Sequence, residues 1–149
     1  MSPGSDRGLK CCVVYTTDRK YLFPTLVSAM QARQHASIDQ ADVMIMGFGL
    51  EDEARGIFLP VCQSENIILS EMDSSLIEHQ DAMLARFFLH RLIPPQYRQC
   101  LYLDGDVQVL GSLDPLLNAD VPDGHFLAAN DPMTFQLVAR SGPSDLVTA

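Results

Sequence analysis

The chain has 149 residues, of which 47% are apolar and 19% charged, a composition that reads as a single globular domain with a real core and excludes a disordered segment. Nineteen acidic residues against ten basic ones give a formal charge of −9 with no Lys/Arg cluster, which argues against nucleic acid or an anionic membrane as the main partner. No apolar run reaches the roughly 18 residues that a membrane-spanning helix needs. The cysteines, Cys11, Cys12, Cys62 and Cys100, lack zinc spacing and read as buried free thiols of a cytoplasmic protein.

Residues 1–9 are polar, without the apolar core of a signal peptide, and read as a flexible leader. Cys11 to Tyr15 is a short continuous apolar run, the pattern of a strand buried on both faces, and Thr16-Thr17-Asp18 is expected to break it. Pro24 suits the first turn of a helix in which Leu22, Leu26, Ala29 and Met30 recur at helical spacing through Arg33. Ala41 to Phe48 is the second strand. Glu51-Asp52-Glu53 suits the first turn of a second helix, expected to end near Val61 or Cys62 because of Pro60. Asn66 to Leu69 is a brief third strand, and Ser70 to Ser75 a polar loop. From Asp81 to Leu92 the pattern is helical, with Met83, Leu84, Phe87, Phe88 and Leu92 as one apolar stripe, stopped by Pro94-Pro95. Cys100 to Leu103 and Val107 to Leu110 read as strands on either side of Asp104-Gly105-Asp106. Asp114-Pro115 caps one helical turn through Leu117. Phe126 to Ala129 is a last strand, and residues 133–149 are poorly patterned.

Strands alternating with helices predict an α/β fold, a Rossmann-like, mostly parallel sheet flanked by helices. Ligands of such sheets bind outside the carboxyl ends of the strands, where both Thr16-Thr17-Asp18 and Asp104-Gly105-Asp106 fall. Neither Gly-x-Gly-x-x-Gly nor a Gly-x-x-x-x-Gly-Lys loop occurs, so neither an ordinary dinucleotide site nor a phosphate loop is expected.

The chemistry concentrates in Leu101-Tyr102-Leu103-Asp104-Gly105-Asp106-Val107-Gln108-Val109-Leu110. Two carboxylates interrupt an apolar run, where unpartnered charges are costly. In extended backbone Asp104 and Asp106 point the same way, and Gly105 leaves room for a ligand to approach the backbone. Two hard oxygen donors suit Mn²⁺ or Mg²⁺, which shares its other positions with water and a diphosphate. A net-negative protein that binds a nucleotide diphosphate needs such a cation.

Three segments together resemble glycosyltransferase family eight, the retaining enzymes of the glycogenin and lipopolysaccharide galactosyltransferase kind with a GT-A fold. They are Val13-Val14-Tyr15-Thr16-Thr17-Asp18-Arg19-Lys20-Tyr21, Ala82-Met83-Leu84-Ala85-Arg86-Phe87-Phe88-Leu89 and Leu101-Tyr102-Leu103-Asp104-Gly105-Asp106-Val107. The first is similar to the family's uridine loop, the second to its Ala-x-Tyr-x-Arg-Leu helix and the third to its Leu-Tyr-Leu-Asp-x-Asp signature. The resemblance implies transfer of a hexose from a UDP-sugar to an acceptor hydroxyl, with anomeric retention. Asp104 and Asp106 would hold Mn²⁺ or Mg²⁺ on the donor diphosphate, Asp106 as the stricter ligand and Asp104 also near the ribose. Asp18 would accept from the uracil edge and Tyr21 would stack on the ring. Arg86 would reach the donor sugar or phosphates. Thr16, Thr17 and Gly105 would complete the nucleotide pocket.

The chain departs from the family in three places. Leu84 replaces the usual Tyr, no Trp occurs, and no His-x-x-Gly-x-x-Lys-Pro-Trp supplies a third metal ligand, since His35, His79, His90 and His125 sit in other contexts. The acceptor-binding half expected after the last strand is missing, so the chain reads as one nucleotide-sugar-binding domain truncated at its C-terminal side, active alone or not. The acceptor is a sugar, a lipid-linked group or a protein, no catalytic residue is assigned, and a homo-oligomer is left open. Two other readings are weighed. A haloacid-dehalogenase-type phosphatase also places Asp-x-Asp after an apolar strand, but needs loop and helix where Val107 to Leu110 reads as a strand. A non-catalytic nucleotide-sugar-binding fragment is the other.

Overall fold

The computed structural model describes residues 10–129. The leader read at residues 1–9 and the tail read at 133–149 lie outside the described residues. The chain divides into a unit Met1–Ala119 and a unit Asp120–Ala149.

The first unit is built on four strands, β1 (Cys11–Asp18), β2 (Ala41–Phe48), β3 (Ile67–Met72) and β4 (Cys100–Tyr102). They form one sheet in the order β3-β2-β1-β4, and every pairing is parallel. This is the expected α/β sheet. Val13 marks the register, standing opposite Val43 on one side and Leu101 on the other. β1 is therefore central, and from Cys11 to Thr17 every residue is buried.

Alternation along β1 sends side chains to two cores. Cys11, Val13 and Tyr15 pack with α1 (Leu22–His35), with Cys62 of α2 (Asp52–Ser64) and with Leu117 of α4 (Asp114–Leu117). Cys12 and Val14 pack on the other face with Ile77, Ala82, Ala85 and Leu92. Each large side chain withdrawn from water here contributes about 1.5–3 kcal/mol. The α1 stripe is the one expected: Leu22, Leu26 and Ala29 are buried and Met30 is partly so.

Several boundaries differ from expectation. β1 runs on through Thr16-Thr17-Asp18, because these pair with Met46, Gly47 and Phe48 and β-branched threonine suits a strand. β3 likewise takes in Ser70-Glu71-Met72, paired as far as Phe48. It is an edge strand, so polar side chains there remain in water. α2 passes through Pro60 to Ser64. Pro60 and Gly56, whose carbonyl loses its partner, are both exposed, so water satisfies the group that a buried helix would orphan.

The segment Asp81–Leu92 is not one α-helix. Asp81 accepts a hydrogen bond from the Met83 amide and starts a 3₁₀ helix, Ala82–Phe88, which passes into the single turn α3 (Leu89–Leu92). Three residues per turn align Ala82, Ala85 and Phe88 on one face. Ala82 and Ala85 are buried, while Met83 and Phe87, expected in the apolar stripe, are 62% and 69% exposed. Val107–Leu110 is not a strand either. Its Val109 amide donates to the Gln31 side chain at 3.0 Å, so it follows α1 instead of a neighbouring strand. Phe126–Ala129, in the second unit, forms no strand, and Phe126 and Leu127 are exposed. Among the cysteines, Cys11, Cys12 and Cys62 are buried free thiols, but Cys100, on edge strand β4, is exposed.

Candidate functional site

In the order β3-β2-β1-β4 the chain leaves β1 toward β2 on one side and returns through the 3₁₀ helix to β4 on the other. Such a reversal opens a crevice at the carboxyl ends of the two strands. A cavity of about 410 Å³ lies there. Thr17, Asp18, Lys20, Tyr21 and Thr25 line it from the end of β1 and the start of α1. Asp81, Ala82, Met83 and Arg86 line it from the 3₁₀ helix, and Tyr102, Asp104, Gly105 and Asp106 from the end of β4.

Seven of the eight residues singled out in the sequence thus meet. The eighth, Thr16, does not line the cavity; its hydroxyl pairs with the Tyr102 hydroxyl at 3.3 Å behind it. Asp18 Oδ1 accepts from the Lys20 and Tyr21 amides at 2.9 and 3.1 Å, closing the turn into α1. Tyr21 is 60% exposed, so it does not pack into the core. Asp104 and Asp106 are brought to the cavity by a turn, not by extended backbone, with the Val107 amide donating to the Asp104 carbonyl at 3.1 Å. A methyl group built on Gly105 would overlap Thr25 Oγ1. The glycine is therefore required by the packing of the turn on α1.

Arg86 and Asp104 are the electrostatic centre. Arg86 Nη2 lies 3.1 Å from Asp104 Oδ1 and Nη1 donates to Oδ2 at 3.4 Å. Arg86 Nε donates to the Met83 carbonyl at 3.0 Å, and its guanidinium sits 5.4 Å from the Tyr102 ring centroid. The Tyr102 hydroxyl donates to Asp104 Oδ1 at 2.9 Å. Burial, chiefly, together with the Asp104 carboxylate, pushes the Tyr102 phenol up from its ordinary value, against the Thr16 bond and Arg86 that lower it. It keeps its proton at neutral pH and remains a donor.

Four carboxylates and two cations line the cavity. Asp106 has no ion-pair partner among the described residues. No group of three or more His, Cys, Asp or Glu side chains able to hold a metal occurs among the described residues. Two carboxylates beside a crevice that leaves space for phosphate suit Mg²⁺ or Mn²⁺, which keep several waters and need few protein ligands. The guanidinium on Asp104 marks where positive charge is wanted, so the residues fit the metal.

Sequence reasoning assigned no site role to Lys20, Thr25, Asp81, Ala82, Met83 and Tyr102, which also line the cavity. Two carried a signal. Tyr102 stands two residues before Asp104, on the same side of the strand, and Thr25 is a hydroxyl on the buried face of α1 between Leu22 and Leu26. Lys20 and Asp81 carried none.

The model of glycosyl transferase family 8 matches residues 12–141. Similar solved structures include the apo-form glycosyltransferase GlyE of Streptococcus pneumoniae TIGR4, with TM-score 0.63 and 20% identity over 83% of this chain and 30% of that one. The galactosyltransferase LgtC in complex with donor and acceptor sugar analogues gives TM-score 0.61 and 22% identity over 75% and 44%. The bifunctional glycosyltransferase WbbM gives 0.57 and 17% over 82% and 23%. The chain thus spans less than half the length of each. No curated protein sequence matches it significantly. The family match displaces the phosphatase reading, whose counter-argument, a strand at Val107–Leu110, the structure does not contain. With the parallel sheet and the crevice at its switch point in place, the match over residues 12–141 makes this chain a member of glycosyl transferase family 8.

Proposed function

We propose that the β1–β4 crevice binds a UDP-sugar through a divalent metal, and that the chain is the donor-binding part of a retaining hexosyltransferase, a single nucleotide-sugar-binding domain. The observation that carries this reading is the meeting of Asp104 and Asp106 with Asp18, Tyr21 and Arg86 around one cavity. Family membership supports it, as does LgtC, which was solved with donor and acceptor sugar analogues.

Asp106 and Asp104 hold the metal. Bound there, Mn²⁺ or Mg²⁺ supplies the Lewis-acid charge that stabilises the departing diphosphate. Tyr21, exposed at the cavity edge, stacks on uracil. Asp18 spends Oδ1 on two backbone amides, and its Oδ2 accepts from the uracil imide. Thr17 narrows the pocket, with Thr16 behind it. Lys20 and Arg86 bring positive charge to the phosphates, and Gly105 lets the turn sit close. The acceptor hydroxyl belongs to a sugar, a lipid-linked group or a protein. A cytoplasmic setting suits the four free cysteines, and no helix among the described residues is long and apolar enough to cross a membrane.

Calorimetry with UDP tests the reading. Binding is expected with Mn²⁺ present, at least tenfold weaker without it, and similarly weakened by Asp106→Asn, about 1.4 kcal/mol or more. UDP binding indifferent both to the metal and to Asp106→Asn would overturn the proposal.

A further inference from the structure

Asp104 is not an open ligand. Both its oxygens face Arg86, and Oδ1 also accepts from Tyr102. Asp106, two residues on, has no ion-pair partner among the described residues. One carboxylate of the couplet is thus already neutralised and the other is not. We infer that Arg86 is the cation Asp104 keeps until a divalent ion replaces it, so that the metal and the arginine exchange at this carboxylate; this rests on the reading that Asp104 and Asp106 hold the metal.

The geometry allows the exchange. The side chains of Arg86 and Asp104 are 34% and 45% exposed, and an ion pair this open to water is weak and readily separated. Arg86 does not depend on Asp104 for its place. Nε stays on the Met83 carbonyl and the guanidinium lies over the Tyr102 ring, so it remains in the crevice once displaced. Tyr102, held by Thr16, keeps one donor on Asp104 Oδ1 throughout, which leaves the carboxylate oriented while its cation changes. A guanidinium cannot lose its charge, so a metal arriving alone meets repulsion. A metal arriving with a diphosphate gives the displaced arginine an anion. The exchange therefore holds down metal affinity in the absence of nucleotide and couples it to the donor.

Removing the charge should act with opposite signs on the two ligands. In the full chain without nucleotide, titration followed by Mn²⁺ electron paramagnetic resonance should show Arg86→Gln and Arg86→Ala binding Mn²⁺ about tenfold more tightly than wild type. At saturating Mn²⁺, the same variants should bind UDP at least fivefold more weakly. Arg86→Gln, which keeps a hydrogen-bond donor, decides the matter if circular dichroism shows Arg86→Ala misfolded. Mn²⁺ affinity unchanged or lowered in Arg86→Gln, while Asp106→Asn still abolishes Mn²⁺ binding, would overturn the exchange and leave the metal site standing. Mn²⁺ binding that survives Asp106→Asn would remove the metal site and the exchange with it.

Discussion

Gly105 shows how one residue can be fixed by two demands. Read in sequence, it leaves space for a ligand near the backbone. In the structure the nearer constraint is Thr25, whose Oγ1 occupies the position a Cβ would take. Thr25 is itself held, its hydroxyl donating to the Tyr21 carbonyl at 2.7 Å and lying 3.2 Å from Thr17 Oγ1. Gly105→Ala must push against a side chain held in this way. It should destabilise the protein by about 1–3 kcal/mol in urea denaturation, and displace Asp104 and Asp106 enough to weaken UDP–Mn²⁺ binding. Adding Thr25→Ala removes the obstructing oxygen and should recover part of both losses; no recovery would show that Thr25 is not the cause. The acidic couplet was legible because charge in an apolar strand demands a reason. Thr25 was not, because a buried threonine looks the same whether it caps, packs or props a turn.

Among the elements, α2 and α4 carry stabilities that can be tested separately from the site. Pro60 sits in the exposed interior of α2, where proline costs about 3 kcal/mol against alanine. The looser unfolded chain of an alanine variant takes back up to about 1 kcal/mol. Pro60→Ala should therefore raise stability by about 2 kcal/mol, and a loss of stability would mean that the Pro60 ring makes a packing contact worth more than the missing hydrogen bond. The sequence placed the end of α2 too early because it weighed proline as a break without knowing that this face meets water. At α4, Asp114 accepts from the Ser37 amide at 3.0 Å and the Ser37 hydroxyl at 2.8 Å. The Ser37 backbone bond first, then its side-chain bond, hold the Asp114 carboxyl below its ordinary value. A lowered folded pKa contributes stability above the unfolded value, near 3.9, and loses it as the pH falls through the folded one. The stability difference between wild type and Asp114→Asn should be constant above about pH 5 and shrink in acid; a difference growing in acid would contradict the assignment.

The 3₁₀ helix Ala82–Phe88 is the element whose period mattered most. Large apolar side chains at 83, 84, 87 and 88 fit an α-helical stripe, and the short Ala82 and Ala85 gave no signal against it. Tertiary packing selects the alanines for the core, because small side chains let this segment lie close on β1. Met83 and Arg86, one 3₁₀ turn apart, are thereby turned to the crevice. The arginine was recognised by its family context, not by its periodicity.

For the molecule as a whole, sheet order ties these parts to function. Parallel strands were legible from apolar runs alternating with helices, and the all-parallel order β3-β2-β1-β4 bears that out. The order itself was not legible, since the pattern of runs does not say on which side of β1 the fourth strand lies. Once β4 pairs with β1, Asp18 at the end of one strand and Asp104 just past the end of the other must share a crevice. Four carboxylates against two cations leave the lining negative, and a diphosphate approaches such a place only with a cation. The most direct test is a crystal of the full chain grown with UDP and Mn²⁺, with anomalous scattering recorded at the manganese edge. The account predicts one strong peak at coordination distance from the Asp104 and Asp106 carboxylates and the UDP phosphates, with the Arg86 guanidinium turned from Asp104 toward the diphosphate. UDP bound in the crevice with no manganese between it and these carboxylates, or manganese bound elsewhere, would contradict it.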